Sequence, residues 1–282
     1  MGERPLPSNG SERPGRVGSG RGPDRPAAPA DWSAGGGGAP LEWLCLPPAV
    51  GGRASLAPLL ARGGAAWRAV DLPAALQRPA DLADALAAQL GATGVARVGV
   101  AGFSLGGQLA LAFAERHPER VAALLLVASG APDRARGRAL ARSAPLAALL
   151  PTMFLRRRAA ASLAPALQVA APEQRRALEG WLAQASRAEL AAPRARLQAS
   201  DREGAIAPAA FARLCAPVHL LELGADEVIA PAEAARLRAL FPQATRETVA
   251  GLSHAALLAW PERLLERVAT ALASLRAGAG SR

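Results

Sequence analysis

Three side chains that together could carry out acyl transfer stand far apart in this chain of 282 residues. The first is Ser104, in the turn Gly102-Phe103-Ser104-Leu105-Gly106. A serine hydroxyl is a poor nucleophile until a base takes its proton and fixed dipoles receive the oxyanion it creates. A G-x-S-x-G turn between a strand and a helix lifts such a hydroxyl out of a sheet. Its glycines are needed because the bend leaves no room for a Cβ. Here "VGVAG" precedes the serine as a β-branched run, and "GGQLALAFAERH" follows it with helical spacing. A helix starting at the serine would also favour negative charge at that point.

The base expected is His254, in the loop of "VAGLSHAALLAWPERLLERV". His117 ends the helix after the serine and reads as a C-terminal cation; His219 falls mid-strand and reads as core. The orienting acid expected is Asp226, in the turn that Gly224 opens within "VHLLELGADEVIAP", with Glu222 and Glu227 as alternatives. Such a carboxylate fixes the tautomer of the histidine and stabilises its cation. Two N–H groups are then needed for the oxyanion. Leu105 supplies one. The loop "LPPAVGGRAS" supplies the other from Ala49, with Val50 as fallback, since Pro48 has no N–H to give.

These residues need elements that bring them to one edge. Residues 1–40 are dense in Gly, Pro, Ser and Arg and are expected to form a disordered tail. From residue 41, strand-like runs ("LEWLCL", "AWRAVDL", "VARVGVAG", "VAALLLVAS") alternate with helical segments. Strands apolar on both faces call for a mostly parallel sheet with helices on both faces, an α/β fold. The alternation stops over 131–205, an Ala/Leu/Arg-rich helical stretch with breaks expected at Pro145, Pro151, Pro165, Pro172 and Pro193. It resumes with strand "PVHLLEL", helix "PAEAARLRALF", strand "ATRETVA" and a last helix. The organisation expected is a core of 41–130 and 206–277, with 131–205 as a helical lid.

The net charge of +10 does not by itself argue for nucleic acid. All 33 basic residues are arginine, and alanine is abundant throughout, a bias of composition more than of phosphate recognition. Nor does any run interleave arginine with aromatics as a single-strand binding face would. Cys45 and Cys215 both sit in apolar runs and read as buried free thiols; three scattered histidines offer no metal spacing. No cofactor or metal is expected. No segment is apolar enough to span a membrane and no secretory signal is visible, so a cytoplasmic location is the default.

The segments "GFSLGGQLALAFAERHPERVAALLLVAS", "GADEVIAP" and "GLSHAALLAWPE" resemble the elbow, acid and histidine loops of the α/β-hydrolase superfamily over about residues 41–277. The order serine, acid, histidine is also that superfamily's. The resemblance implies an α/β-hydrolase fold and a serine esterase or thioesterase acting on a small acyl substrate, with Ser104, Asp226 and His254 as its triad. A narrower likeness, in "LCLPPAVGGRAS" and "LAALLPTMFLRRRAAASL", is to the maspardin branch. That likeness implies a non-catalytic binding protein; this chain departs from it by keeping Asp226 and His254. Phe103, Met153 and Phe154 are expected on the substrate side, and Arg156, Arg157 and Arg158 could meet an anionic carrier.

Overall fold

The computed structural model describes residues 1–2, 43–203 and 206–280; the expected tail, apart from Met1 and Gly2, lies outside them. Six strands form one sheet: β1 Trp43–Leu46, β2 Trp67–Ala69, β3 Val98–Phe103, β4 Val121–Val127, β5 Val218–Leu223 and β6 Thr245–Val249. Every pairing is parallel, in the order β2-β1-β3-β4-β5-β6. The chain therefore goes outward from β1 to β2, crosses back to β3, and continues the other way. At such a reversal the two connections diverge and leave a crevice at the carboxyl ends of the strands. Here it opens after Leu46 and Gly102, which are partners in register.

The period of two in the strands divides the core into two layers. Leu44, Val100 and Leu124 pack with α2 (Pro79–Ala92), α3 (Leu105–Arg116) and α9 (Pro231–Leu240). Their neighbours Cys45, Ala101 and Leu125 point the other way, toward α1 (Ala57–Gly63), α10 (Ala256–Ala259) and α11 (Glu262–Gly280). Each buried leucine contributes about 1.5–3 kcal/mol. Two continuous layers of them hold the strands, and this is the α/β architecture the apolar runs call for.

Between β4 and β5 run five helices: α4 Arg134–Arg142, α5 Ala144–Leu149, α6 Thr152–Val169, α7 Pro172–Gln184 and α8 Arg187–Glu203. Asp133 caps α4, accepting the N–H groups of Ala135 and Arg136 at 2.7 and 3.0 Å. Two of the expected breaks do not occur, because Pro165 lies inside α6 and Pro193 inside α8. The flanking turns are anchored by packing: Leu163 and Ala166 are fully buried, and so nearly are Ala192 and Arg196. That anchoring outweighs the loss of one helical hydrogen bond at each proline.

Two arginines fasten these helices to the sheet layers. The Arg136 guanidinium donates to Asp201 on α8 (2.7 and 2.9 Å) and to Glu233 on α9 (2.6 Å). Arg196, only 5% exposed, donates to the carbonyls of Leu72, Pro73 and Leu76 at 2.7–3.1 Å. Burial pulls the Arg196 pKa down to about 10, so the side chain still carries its charge at neutral pH.

The two thiols differ, contrary to the sequence expectation: Cys45 is buried in β1 but Cys215 is exposed. It lies in the short connection 212–217 that precedes β5, not in the strand itself. Burial pushes the Cys45 thiol up to about 12. A thiolate is the reactive form, so Ellman's reagent should modify one cysteine in the folded protein and the second only after unfolding. Among the described residues no helix is long and apolar enough to cross a membrane.

Candidate active site

β3 ends at Phe103 and α3 begins at Leu105, so Ser104 alone makes the turn, with φ 53° and ψ −117°. A non-glycine residue at positive φ is strained, and the surroundings hold it there. The Ser104 N–H donates to the Val127 carbonyl at 3.0 Å, and its own carbonyl accepts from the Gly107 N–H at 2.9 Å. Buried Ser129 adds a third tether, its Oγ donating to the Ser104 carbonyl at 3.0 Å.

Two glycines are needed for contact distance. A Cβ on Gly102 would lie 2.6 Å from the Gly106 carbonyl, and one on Gly106 would lie 2.1 Å from the Leu46 carbonyl. The second contact presses the start of α3 against the end of β1. It brings the loop carrying Ala49 and Val50 beside Ser104 and Leu105, and all four line one cavity.

The acid and base loops are joined to each other before they reach the serine. The Ala225 N–H donates to the Leu252 carbonyl at 3.0 Å, and the His254 N–H donates to Glu227 Oε2 at 3.1 Å. Asp226 Oδ1 accepts the N–H groups of Val228 and Ile229 at 2.8 and 2.9 Å, which leaves Oδ2 facing His254 Nδ1 at 2.9 Å. His254 Nε2 then lies 2.9 Å from Ser104 Oγ. Burial would raise the Asp226 pKa, but the hydrogen bond from His254, those from Ile229 and Val228, and the charge of His254 together hold it below the usual carboxylate range. Asp226 is thus an anion with both oxygens engaged, beside an imidazole oriented toward a hydroxyl. Such a line can pass a proton from the hydroxyl to the imidazole without the acid ever being protonated.

The other candidates are engaged elsewhere. Glu222 pairs with Arg238 at 2.8 Å, and Glu227 braces the backbone of His254. His117 Nε2 meets Asp84 at 2.8 Å; His219 is buried in β5, and desolvation lowers its pKa despite nearby Glu247.

The cavity at Ser104 is about 460 Å³ and lies between the core and the inserted helices. Leu140, Leu150, Leu155, Trp181 and Leu190 make much of its wall. The three residues expected on the substrate side are not among those that line it. Phe103 is fully buried in β3 and meets Trp260 edge to face, with ring centroids 5.5 Å apart. A strand alternates its side chains, so the residue before the elbow serine points into the layer under the sheet. Met153 and Phe154 are 58% and 46% exposed, because the face of α6 turned to the cavity carries Leu155, Arg158, Ala159 and Ser162. Phe103→Ala should accordingly destabilise the fold by about 3–5 kcal/mol, read as a lower urea midpoint.

Arg156, taken with its neighbours as an anion contact, instead donates to the carbonyls of Leu182, Ala183 and Ala185 at the end of α7. Of the three arginines only Arg158 reaches the cavity. Sequence reading missed Ser129 and Gln174. Gln174 donates to the Leu258 and Ser55 carbonyls at 2.9 and 3.3 Å and ties α7 to the segment after His254. Nothing in their spacing marks either residue. Among the described residues no cluster of His, Cys, Asp and Glu could hold a metal ion.

A strained serine after the third strand of a parallel sheet, with an imidazole and a carboxylate in line behind it, defines a class. Residues 74–259, about two thirds of the sequence, match the model of the alpha/beta hydrolase fold family. The chain belongs to the α/β-hydrolase fold family of enzymes. Among solved structures it is similar to a carboxylesterase of Nitrososphaera gargenis, at 15% identity and a TM-score of 0.63, covering 84% of this chain and 92% of that one. It is also similar to a thermophilic esterase of Thermogutta terrifontis (19%, 0.59, 84% and 91%) and an esterase of Rhodococcus sp. ECU1013 (23%, 0.59, 83% and 91%). A search of curated protein sequences finds no significant match.

Proposed function

We propose that this protein is a serine hydrolase that cleaves a carboxylic ester or thioester through an acyl-enzyme on Ser104. The observation that carries the reading is the unbroken line Asp226–His254–Ser104, with 2.9 Å at each step, opening on a mainly apolar cavity. His254 Nε2 takes the hydroxyl proton as Oγ attacks the substrate carbonyl. The N–H groups of Leu105 and Ala49 receive the oxyanion, Leu105 with the added field of the α3 N-terminus. Collapse of the tetrahedral intermediate expels the alcohol or thiol, which takes the proton from His254. Water, deprotonated by the same imidazole, then releases the acid and restores Ser104. We read α4–α8 as the lid that encloses the acyl group over this site. That similar folds carry carboxylesterases and esterases supports an ester as the scissile group.

A fluorophosphonate probe tests the reading directly. Peptide mass spectrometry should find the label on Ser104, and short p-nitrophenyl esters should be turned over and then blocked by the probe. A protein that neither labels nor turns over any such ester is not a serine hydrolase.

A further inference from the structure

The wall of the cavity has a charge imbalance that a neutral ester does not require. Arg136, Arg158 and Arg194 line it, and among the described residues no carboxylate does. Arg136 is compensated by Asp201 and Glu233. The other two are not. Arg194 Nη2 donates to the Leu140 carbonyl and to Ser143 Oγ, at 3.0 and 2.6 Å, which caps the end of α4. Among the described residues its Nε and Nη1 meet no acceptor, and no carboxylate pairs with it. Arg158 stands on the cavity face of α6 beside Leu155, Ala159 and Ser162, and its guanidinium has no partner among the described residues. Around Arg158 the sequence offers no counter-charge, since residues 134–172 hold seven arginines and no Asp or Glu; on α8 the carboxylates of Glu189, Asp201 and Glu203 are engaged by Ser186, Arg136 and Arg78.

Arg158 is exposed and Arg194 half-buried, so water solvates both guanidiniums until an oxyanion entering the cavity takes its place with charge-assisted hydrogen bonds. Guanidinium forks match the planar oxygens of a carboxylate and the oxygens of a phosphate equally well. We propose that the substrate of this site carries an anionic group, a carboxylate or phosphate, held by Arg158 and Arg194 while its scissile carbonyl lies at Ser104. This inference rests on the hydrolase reading above and adds the charge of the substrate to it. The anion can stand on the acyl part, as in a dicarboxylic monoester, or on the leaving part, as in an acyl carrier with phosphates. Both present the same chemistry to the two arginines.

Two matched pairs of substrates test it: p-nitrophenyl glutarate monoester against p-nitrophenyl pentanoate, and butyryl-coenzyme A against the S-butyryl thioester of N-acetylcysteamine. In one pair kcat/KM for the anionic member should exceed that for the neutral one by about tenfold or more, the size expected for hydrogen bonds to a charged group. Which pair shows the preference assigns the anion to the acyl or the leaving side. The ratio should fall toward one in the Arg158→Gln/Arg194→Gln double variant, mainly through KM. Arg194→Lys should retain part of it, and Arg157→Gln, outside the cavity on the same helix, should leave it where it was. Rising salt should weaken the preference as well. Ratios at or below one in both pairs, or ratios that ignore the double variant, overturn the inference while Ser104 labelling and neutral-ester turnover leave the hydrolase reading standing. Failure of labelling and of every substrate overturns both.

Discussion

Ser104→Ala should lower turnover of a p-nitrophenyl ester by about 10⁴-fold or more and abolish fluorophosphonate labelling, with no change in the urea midpoint. The two readouts separate for a structural reason. Among the described residues Ser104 Oγ meets one partner, His254 Nε2. The turn itself is held by backbone atoms and by Ser129, which alanine leaves untouched. Alanine also inherits the positive φ without adding or relieving strain, so the folded state loses one part-buried hydrogen bond, whose imidazole partner water in the adjoining cavity can reach. Residual activity above a tenth of the original would mean that another nucleophile does the chemistry, since Leu105 and Ala49 alone cannot supply one.

Asp226→Asn should be nearly as damaging, with kcat down by about 10³–10⁴-fold, because the surrounding loop dictates which way the amide points. Oδ1 is held by the N–H groups of Val228 and Ile229, and only an acceptor fits there. The amide oxygen must take that place, which turns the NH₂ toward His254 Nδ1. Two donors cannot face each other, so the imidazole moves its proton to Nε2 and can no longer accept from Ser104 Oγ. The loss should shrink as pH rises and hydroxide replaces the missing base, so a rate profile extended to alkaline pH checks the explanation. The same carboxylate has a native pKa below its unfolded value of about 3.9. It therefore contributes stability that is fully present above that value and is lost as pH falls through the native one. In the asparagine variant this part of the acid unfolding should disappear.

How much of this was legible in the residue order differs from element to element. The parallel sheet was, since strands apolar on both faces have few alternatives, and the elbow was, since glycine spacing encodes backbone geometry directly. The three side chains in line were named from motif and order. The wall of the cavity was not. Helix α6 is Ala- and Arg-rich on every side, so no periodic stripe distinguishes Arg158, which lines the cavity, from Met153 and Phe154, which face solvent. Phe103 could have been excluded by strand alternation alone, because its position before the serine fixes its face. Pro165 and Pro193 misled in the other direction. Whether a proline breaks a helix depends on how firmly the turns around it are packed, which is a tertiary fact. Arg194 and Ser129 depend on partners more than twenty residues away, and local pattern carries no trace of such pairs.

The fastening of α4–α8 has a consequence for any attempt to alter what this protein accepts. Those helices form one uninterrupted cassette in the sequence, so exchanging them for a related stretch would rebuild much of the cavity wall without touching Ser104, Asp226 or His254. Yet two of the bolts are only half contained in the cassette. Arg136 ends on Glu233, and Arg196 on the peptide carbonyls of 72, 73 and 76, all belonging to the recipient scaffold. A transplant that ignores them would strand a carboxylate and three carbonyls at the seam, and those four groups are the ones a designer has to match first.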